Sequence, residues 1–151
     1  MLAPVCGGGL LSALYLAAHA LRPRTAIFAY EPASALGAMD SEKQNRIVLM
    51  PNPNTLADGL RTSLGGLTLP ILRRHLTGFF VVGDEKLVQA TQFGYERLKL
   101  MIEPSSVVAL APLLRQEAER VGERVGVVLT GSNVKWLRHW PCLDGTETMS
   151  R

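Results

Sequence analysis

Cysteine is scarce in this chain, and long apolar runs are absent. The two cysteines, Cys6 and Cys142, lie near opposite ends of the 151 residues and form no CxxC pair. That pattern favours reduced thiols over a disulfide framework or a zinc site. No apolar run reaches the ~18 residues that a membrane span requires. We therefore expect a cytoplasmic protein with no membrane partner.

The net charge of the chain is also small. The chain has 16 Lys and Arg against 13 Asp and Glu, a formal charge of +3, and the basic residues are scattered. Residues 135–140 (KWLRHW) mix basic and aromatic side chains, a combination that binds single-stranded nucleic acid. One such patch is thin support, because binding grooves need several stacking platforms. We favour a solvated or partner-covered tail over nucleic-acid binding.

The composition favours one globular domain with a sizeable core. Hydrophobic residues make up 47% of the chain and charged residues 19%, so part of the apolar surface could cover a partner. The apolar segment 10–20 resembles the core of a signal peptide. No basic residue precedes it, however, and the glycines at 7–9 interrupt its start. We therefore favour a helix of the fold at this place.

Three consecutive glycines follow the first apolar run. Gly7, Gly8 and Gly9 stand between residues 1–6 and an Ala/Leu-rich segment, 10–21, that predicts a helix. Glycine exposes backbone N–H groups without obstruction by Cβ, and the positive end of a helix adds to their attraction for an anion. The loop therefore predicts a phosphate or carboxylate site, with a simple tight turn as the alternative.

The rest of the chain alternates between strand and helix patterns, which predicts an α/β fold with a parallel sheet. Residues 51–66, rich in Pro, Asn and Gly, predict an irregular connection that carries function. The glycine loop and residues 130–133 follow predicted strands, where ligands of such sheets collect. The predicted strands are the short apolar run before the glycine loop, 25–32, 78–82 and 125–129, and the predicted helices are 10–21, 33–44, 67–75, 84–101 and 107–120.

Five motifs form one ordered pattern: PVCGGGL, YEP, TLADGL, IEPS and TGSN, at 4–10, 30–32, 55–60, 102–105 and 130–133. In order and spacing, they resemble the catalytic-domain half of serine racemase and the threonine/serine dehydratases, which are pyridoxal-phosphate enzymes of fold type II. The resemblance implies a partial parallel sheet flanked by helices, the large-domain half of the tryptophan-synthase-beta-like fold. That domain would span 1–134, followed by an irregular tail, 135–151.

The resemblance also implies a set of residues that bind pyridoxal 5′-phosphate. Thr130 occupies the position, commonly Ser or Cys, that hydrogen-bonds the pyridine nitrogen and leaves it largely unprotonated. Gly59 would lie beside the ring through its backbone, and Glu103 through its carboxylate; the alternatives are a turn pair and a helix-terminal carboxylate. The loop that would hold the phosphate consists of Cys6, Gly7, Gly8, Gly9 and Leu10.

Two positions depart from the family pattern in ways that bear on binding. Cys6 replaces the usual first glycine, so a positive φ there would strain the loop, whereas a negative φ would leave the anion site intact. Glu31 matches a carboxylate of a divalent-cation site, and Ala35 matches its backbone carbonyl. The second carboxylate of that site falls on Gly37. Mg²⁺ would therefore lack one of its hard oxygen ligands here.

The largest departure from the family pattern is that no catalytic lysine is found in this sequence. The family's Schiff-base lysine and its substrate-carboxylate loop belong to an N-terminal half without a counterpart here, and no lysine sits in the family motif. The four lysines are Lys43, Lys86, Lys99 and Lys135. We therefore expect no catalytic residue in this chain.

The resulting hypothesis is a truncated serine/threonine dehydratase or serine racemase-like protein. In the complete enzyme, serine or threonine would undergo deamination by β-elimination, or racemisation. The alternative is a non-catalytic fragment that binds phosphate or docks on a full-length homologue, and a homo-oligomer is a further arrangement that the apolar content allows.

Overall fold

The structure is a computed structural model that describes residues 1–114 and 121–134. Strands and helices alternate along it, as the sequence predicts. In chain order, the elements are β1 (Leu2–Pro4), α1 (Gly9–Leu21), β2 (Phe28–Pro32), α2 (Gly37–Gln44), a 3₁₀ turn (Asp58–Leu60), α3 (Thr68–His75), β3 (Gly78–Val82), α4 (Asp84–Phe93), a π-helical turn (Gly94–Leu98), α5 (Pro104–Val107) and a second 3₁₀ turn (Ala111–Leu114). The predicted tail, 135–151, lies outside the described residues.

The three strands form a parallel sheet in the order β1-β2-β3. Leu2 lies opposite Phe28 in the first pair, and Phe28 lies opposite Gly78 in the second. Parallel neighbours require crossover connections, which α1 provides between β1 and β2, and α2 with α3 between β2 and β3. The predicted α/β class, with its partial parallel sheet flanked by helices, is confirmed.

The core has two halves, one on each face of the sheet. Successive side chains of a strand point to opposite faces, so Leu2 joins one cluster and Ala3 the other. The first half contains Tyr30, Phe80 and residues of α4 and α5. The second half contains residues of α1 and α3, among them Leu11 and Leu72. Both faces of the sheet are therefore covered by helices.

The helix predicted over 33–44 begins later, at Gly37, and the helix predicted over 84–101 is shorter. After β2, the Ala35 N–H donates to the Pro32 carbonyl at 2.9 Å, which makes a turn before α2 starts. α4 ends at Phe93 and continues as one π-helical turn, which Lys99 closes at a φ of 57°. Ile102 packs closely against Gly94 at the start of this turn, where a Cβ would collide with the Ile102 side chain.

Two predictions near the C-terminal part of the domain are wrong in their bounds. The helix predicted over 107–120 starts earlier, at Pro104, whose fixed φ suits the first turn of a helix. It ends at Val107. The strand predicted over 125–129 is a single parallel bridge between Val127 and Leu2. Tertiary packing, rather than the local apolar pattern of the sequence, therefore sets the ends of these two elements.

Candidate functional site

The glycine loop turns the chain sharply between β1 and α1. Cys6 and Gly8 have positive φ values of 54° and 85°, and the Gly8 N–H donates to the Val5 carbonyl at 2.9 Å. The loop then becomes the first turn of α1, where the N–H groups of Gly9 and Leu10 have no intrahelical acceptor. Both residues are exposed. The loop therefore presents N–H groups and a positive helix end to solvent, as an anion site requires.

Gly8 and Gly9 have different reasons to be glycine. A Cβ on Gly8 would lie 2.7 Å from Thr68 Oγ1 and 3.0 Å from Leu64 Cδ2, so the fold itself excludes a side chain there. A Cβ on Gly9 would meet no described atom within 4 Å. The space that a Cβ on Gly9 would occupy is thus open.

A second glycine segment supports the loop from behind. The Gly7 carbonyl accepts two hydrogen bonds, from the Gly65 N–H at 3.1 Å and from Thr68 Oγ1 at 2.8 Å. Sequence reasoning marked this connection as functional but gave no role to Gly65 or Thr68. The Gly-Gly pair at 65–66 was the one signal available, because glycine marks turns; a Cβ at Gly65 would meet Gly7 and Thr68 only at ordinary distances.

Cys6 adopts the strained alternative that the sequence left open. Its φ of 54° is left-handed, which costs a non-glycine residue about 1–2 kcal/mol. The thiol donates to the Gly59 carbonyl at 3.1 Å. This contact ties the glycine loop to the predicted ring-binding segment at Gly59.

Gly59 and Glu103 lie next to each other. The Gly59 N–H donates to Ser105 Oγ at 2.9 Å, and a Cβ on Gly59 would lie 3.6 Å from Glu103 Oε1. The Glu103 N–H donates to the Gly131 carbonyl at 3.1 Å, and Glu103 Oε2 accepts the Asn133 N–H at 3.2 Å. Glu103 therefore joins the 3₁₀ turn to the segment that carries Thr130.

Thr130 is exposed at the end of this network, with Ser106 behind it. The two hydroxyl oxygens are 3.2 Å apart, and Ser106 Oγ also accepts the Thr130 N–H at 3.1 Å. Sequence reasoning gave no role to Ser106, since a serine in a short helix carries no signal of what lies against it. The structure thus brings the glycine loop, Gly59, Glu103 and Thr130 into one chain of contacts.

The predicted cation ligand Glu31 is fully engaged with the start of α2. Its Oε1 and Oε2 accept the N–H groups of Ala38 and Met39, each at 2.8 Å. Burial raises the pKa of Glu31 to about 7, against the lowering effect of those two N–H groups, and Asp40 adds repulsion. Ala35 is buried nearby. Among residues 1–114 and 121–134, no group of three or more His, Cys, Asp or Glu side chains is suited to a metal.

Three of the four lysines are described, and each lies on or directly after an element that carries no predicted site residue. Lys43 is on α2 and Lys86 on α4, while Lys99 follows the π-helical turn. Lys135 lies outside the described residues. In the described part of the chain, no helix has the length and apolar character that a bilayer crossing demands.

Gly131→Ala is expected to disturb the site locally. The new Cβ would collide with the Glu103 carboxylate, which is the movable end of that side chain. We expect the carboxylate to shift, with a small loss of stability in urea unfolding and weaker binding of pyridoxal phosphate. Gly126→Ala is the matched control, because its Cβ would meet the Met1 side chain at an ordinary 3.7 Å. Equal behaviour of the two variants would contradict the prediction.

The fold and the site define a class: an α/β protein whose glycine loop, at the carboxyl end of a parallel strand, presents backbone N–H groups to solvent and is linked by contacts to a carboxylate and a hydroxyl. The profile of the family described as "Pyridoxal-phosphate dependent enzyme" matches residues 1–131. The chain belongs to this family of pyridoxal-phosphate dependent enzymes.

Individual relatives share this similarity. The chain is 38% identical over 139 residues to a serine racemase of Oryza sativa subsp. indica, covering 89% of this chain and 41% of the relative. It is 37% identical over 145 residues to the L-threo-3-hydroxyaspartate ammonia-lyase of Saccharomyces cerevisiae, covering 95% and 44%. The solved structure of maize serine racemase superposes with a TM-score of 0.84 at 37% identity, covering 94% of this chain and 45% of that one. The chain thus spans less than half the length of these relatives.

Proposed function

We propose that this chain forms the phosphate- and ring-binding part of a pyridoxal-phosphate dependent serine/threonine dehydratase or serine racemase-like enzyme. The observation that carries the proposal is the continuous contact network from the glycine loop to Thr130. The links run through the Cys6 thiol to Gly59, and through Ser105 and Glu103 to Gly131. Ligand sites of proteins combine a small number of precisely placed polar groups, and this network brings such groups together from distant parts of the chain.

The residues present fit the cofactor. The exposed N–H groups at Gly9 and Leu10 suit its phosphate, and the open space at Gly9 admits it. The exposed Thr130 hydroxyl is a donor for the ring nitrogen. Glu103 lies close to it, because the Glu103 N–H donates to the carbonyl of Gly131, the residue after Thr130. When bound, pyridoxal phosphate acts as an electron sink for the α-carbon of an amino acid. This chain binds and orients the cofactor at its phosphate and ring nitrogen.

Proton movement at the α-carbon needs an amine that the described part of the site does not contain. Covalent catalysis in this family uses a lysine, and the described lysines lie on other elements. We propose that the chain by itself is catalytically incomplete, and that serine or threonine is the amino acid turned over by the complete enzyme, by elimination of water or by racemisation.

Titration with pyridoxal phosphate tests this proposal. We expect reversible changes in cofactor absorbance, no covalently attached cofactor after borohydride treatment, and no deaminase activity with serine or threonine. Covalent attachment to a lysine together with deaminase activity would show that the chain is complete. Failure to bind the cofactor at all would overturn its assignment as the cofactor-binding part.

Protection of Cys6 from alkylation tests where the phosphate sits. Cys6 is a free, exposed thiol at the start of the glycine loop. In a Cys142→Ser variant, only Cys6 reacts with iodoacetamide, and we expect saturating pyridoxal phosphate to slow the reaction about tenfold or more, as for a site at least nine-tenths occupied. Pyridoxal without phosphate is the control. Equal protection by both compounds would show that the phosphate group is not what the loop holds.

A docking fragment is the second candidate, and exposed leucines favour it. Leu16 and Leu21 on α1 are 55% and 76% exposed, and Leu67 before α3 is 88% exposed. Large exposed apolar side chains are candidates for contacts with a partner. Size-exclusion chromatography with a full-length serine racemase tests it. Co-elution would support docking, dimerisation of the chain alone would support a homo-oligomer, and an inert monomer would contradict both.

A further inference from the structure

Ser106 lies directly behind the exposed Thr130 hydroxyl and contacts it through several atoms. The Ser106 residue is completely buried in α5. Its Oγ lies 3.1 Å from the Thr130 nitrogen, 2.6 Å from the Gly131 nitrogen, 3.0 Å from the Gly131 carbonyl oxygen and 3.2 Å from Thr130 Oγ1. One hydroxyl therefore serves four polar atoms of two consecutive residues.

The capacity of a serine hydroxyl limits how these contacts are used. The group has two acceptor lone pairs and a single proton. The N–H groups of Thr130 and Gly131 can only donate, so they occupy both lone pairs of Ser106. The Ser106 proton then goes either to the Gly131 carbonyl or to Thr130 Oγ1. In neither arrangement does Ser106 have a lone pair left to accept the proton of Thr130.

The Thr130 proton is therefore directed away from Ser106, towards the exposed side of the residue. A hydroxyl whose buried neighbour cannot accept its proton donates to an acceptor on its exposed side. We propose that Ser106 is a positioning residue that fixes Thr130 as a hydrogen-bond donor to the unprotonated ring nitrogen of the cofactor. This inference rests on the proposed function, because Thr130 needs the cofactor as its acceptor.

Ser106 also fixes where the Thr130 side chain stands. The Gly131 carbonyl accepts both the Ser106 hydroxyl and the Glu103 N–H, at 3.0 and 3.1 Å. The backbone of residues 130 and 131 is thus held at three points by one short helix. Without the Ser106 hydroxyl, two N–H groups lose their acceptor, and the Thr130 hydroxyl loses the neighbour that orients it.

A pair of cofactor analogues separates this role from a purely structural one. In 1-deazapyridoxal 5′-phosphate, a C–H group replaces the ring nitrogen and cannot accept a hydrogen bond. We expect the chain to bind pyridoxal phosphate about five- to tenfold more tightly than the deaza analogue, as one hydrogen bond provides. Thr130→Val should reduce this ratio to about one, and Ser106→Ala should reduce it at least halfway.

Ser105→Ala is the matched control. Ser105 is the neighbouring buried serine, and its Oγ accepts the Gly59 N–H but has no contact with Thr130. Its loss should weaken both ligands alike and leave their ratio unchanged. Amide hydrogen exchange of the ligand-free chain supplies a second readout: Ser106→Ala should accelerate exchange at Thr130 and Gly131, and Ser105→Ala should not.

The outcomes separate this inference from the function on which it rests. Binding of pyridoxal phosphate with an unchanged ratio in Ser106→Ala would overturn the positioning role and leave the proposed function standing. Unchanged exchange at Thr130 and Gly131 would overturn it as well. Absence of cofactor binding in the unmodified chain would overturn the proposed function, and this inference with it. A reduced ratio with faster exchange supports the proposal.

Discussion

Gly8→Ala is expected to destabilise the chain by about 2–5 kcal/mol and to abolish binding at the glycine loop. Two costs add at this position. A left-handed backbone, here with a φ of 85°, costs a residue with a Cβ about 1–2 kcal/mol. The Cβ would also stand 2.7 Å from Thr68 Oγ1, and relief of that overlap costs about 1–3 kcal/mol. Thr68 would then release the Gly7 carbonyl.

Gly9→Ala is the comparison that makes this result informative. Its Cβ faces open space and its φ is not positive, and alanine favours a first helical turn over glycine by up to about 1 kcal/mol. We expect unchanged or higher stability in urea unfolding, together with weakened binding of pyridoxal phosphate. The structural account of the loop would be wrong if Gly8→Ala were as stable as the unsubstituted chain. It would also be wrong if Gly9→Ala bound pyridoxal phosphate as tightly as the unsubstituted chain.

Stability is expected to fall by about 3 kcal/mol between about pH 4.5 and pH 7 because of Glu31. The pKa of its carboxyl is raised from 4.5 to about 7 in the folded chain. Between these values the folded state holds a proton that the unfolded state has lost, so rising pH favours unfolding. Below pH 4.5 both states are protonated, and the contribution is fully present. Above pH 7 it is gone.

Urea unfolding at a series of pH values checks the Glu31 prediction. Glu31→Gln should remove this part of the pH dependence, whereas Glu123→Gln, at an exposed position, should retain it. The same series with Mg²⁺ tests the cation site implied by the family. Stabilisation by Mg²⁺ above pH 7 that disappears in Glu31→Gln would establish the site, and a slope that survives in Glu31→Gln would contradict the assignment of the titrating group.

Much of the fold follows from local patterns in the sequence. The Ala/Leu run predicts α1, and the β-prone GFFVV predicts β3 with the bounds that the structure has. These elements are continuous in sequence, and their propensity agrees with their packing. Elements whose ends depend on distant partners were predicted less well. The run 125–129 has the composition of a strand, but its pairing is limited to the bridge at Val127.

The candidate site divides in the same way. By itself, the sequence determined the glycine loop as a candidate anion site, because its residue types expose backbone N–H groups. The ring-binding roles of Gly59, Glu103 and Thr130 are what the resemblance to the pyridoxal-phosphate enzymes implies, from the order and spacing of the motifs that carry them. Their direct proximity, through the Cys6 thiol and Gly59, was not determined by any local pattern.

Only the tertiary structure decided which residues hold the site in shape. Thr68 supports the loop and Ser106 supports Thr130, across 61 and 24 residues of sequence. It also decided that Cys6 takes a positive φ and that Glu31 caps α2. A hydroxyl or a carboxylate does not carry the identity of its partner in its own residue type. That identity depends on which backbone groups the packed core brings within about 3 Å of it.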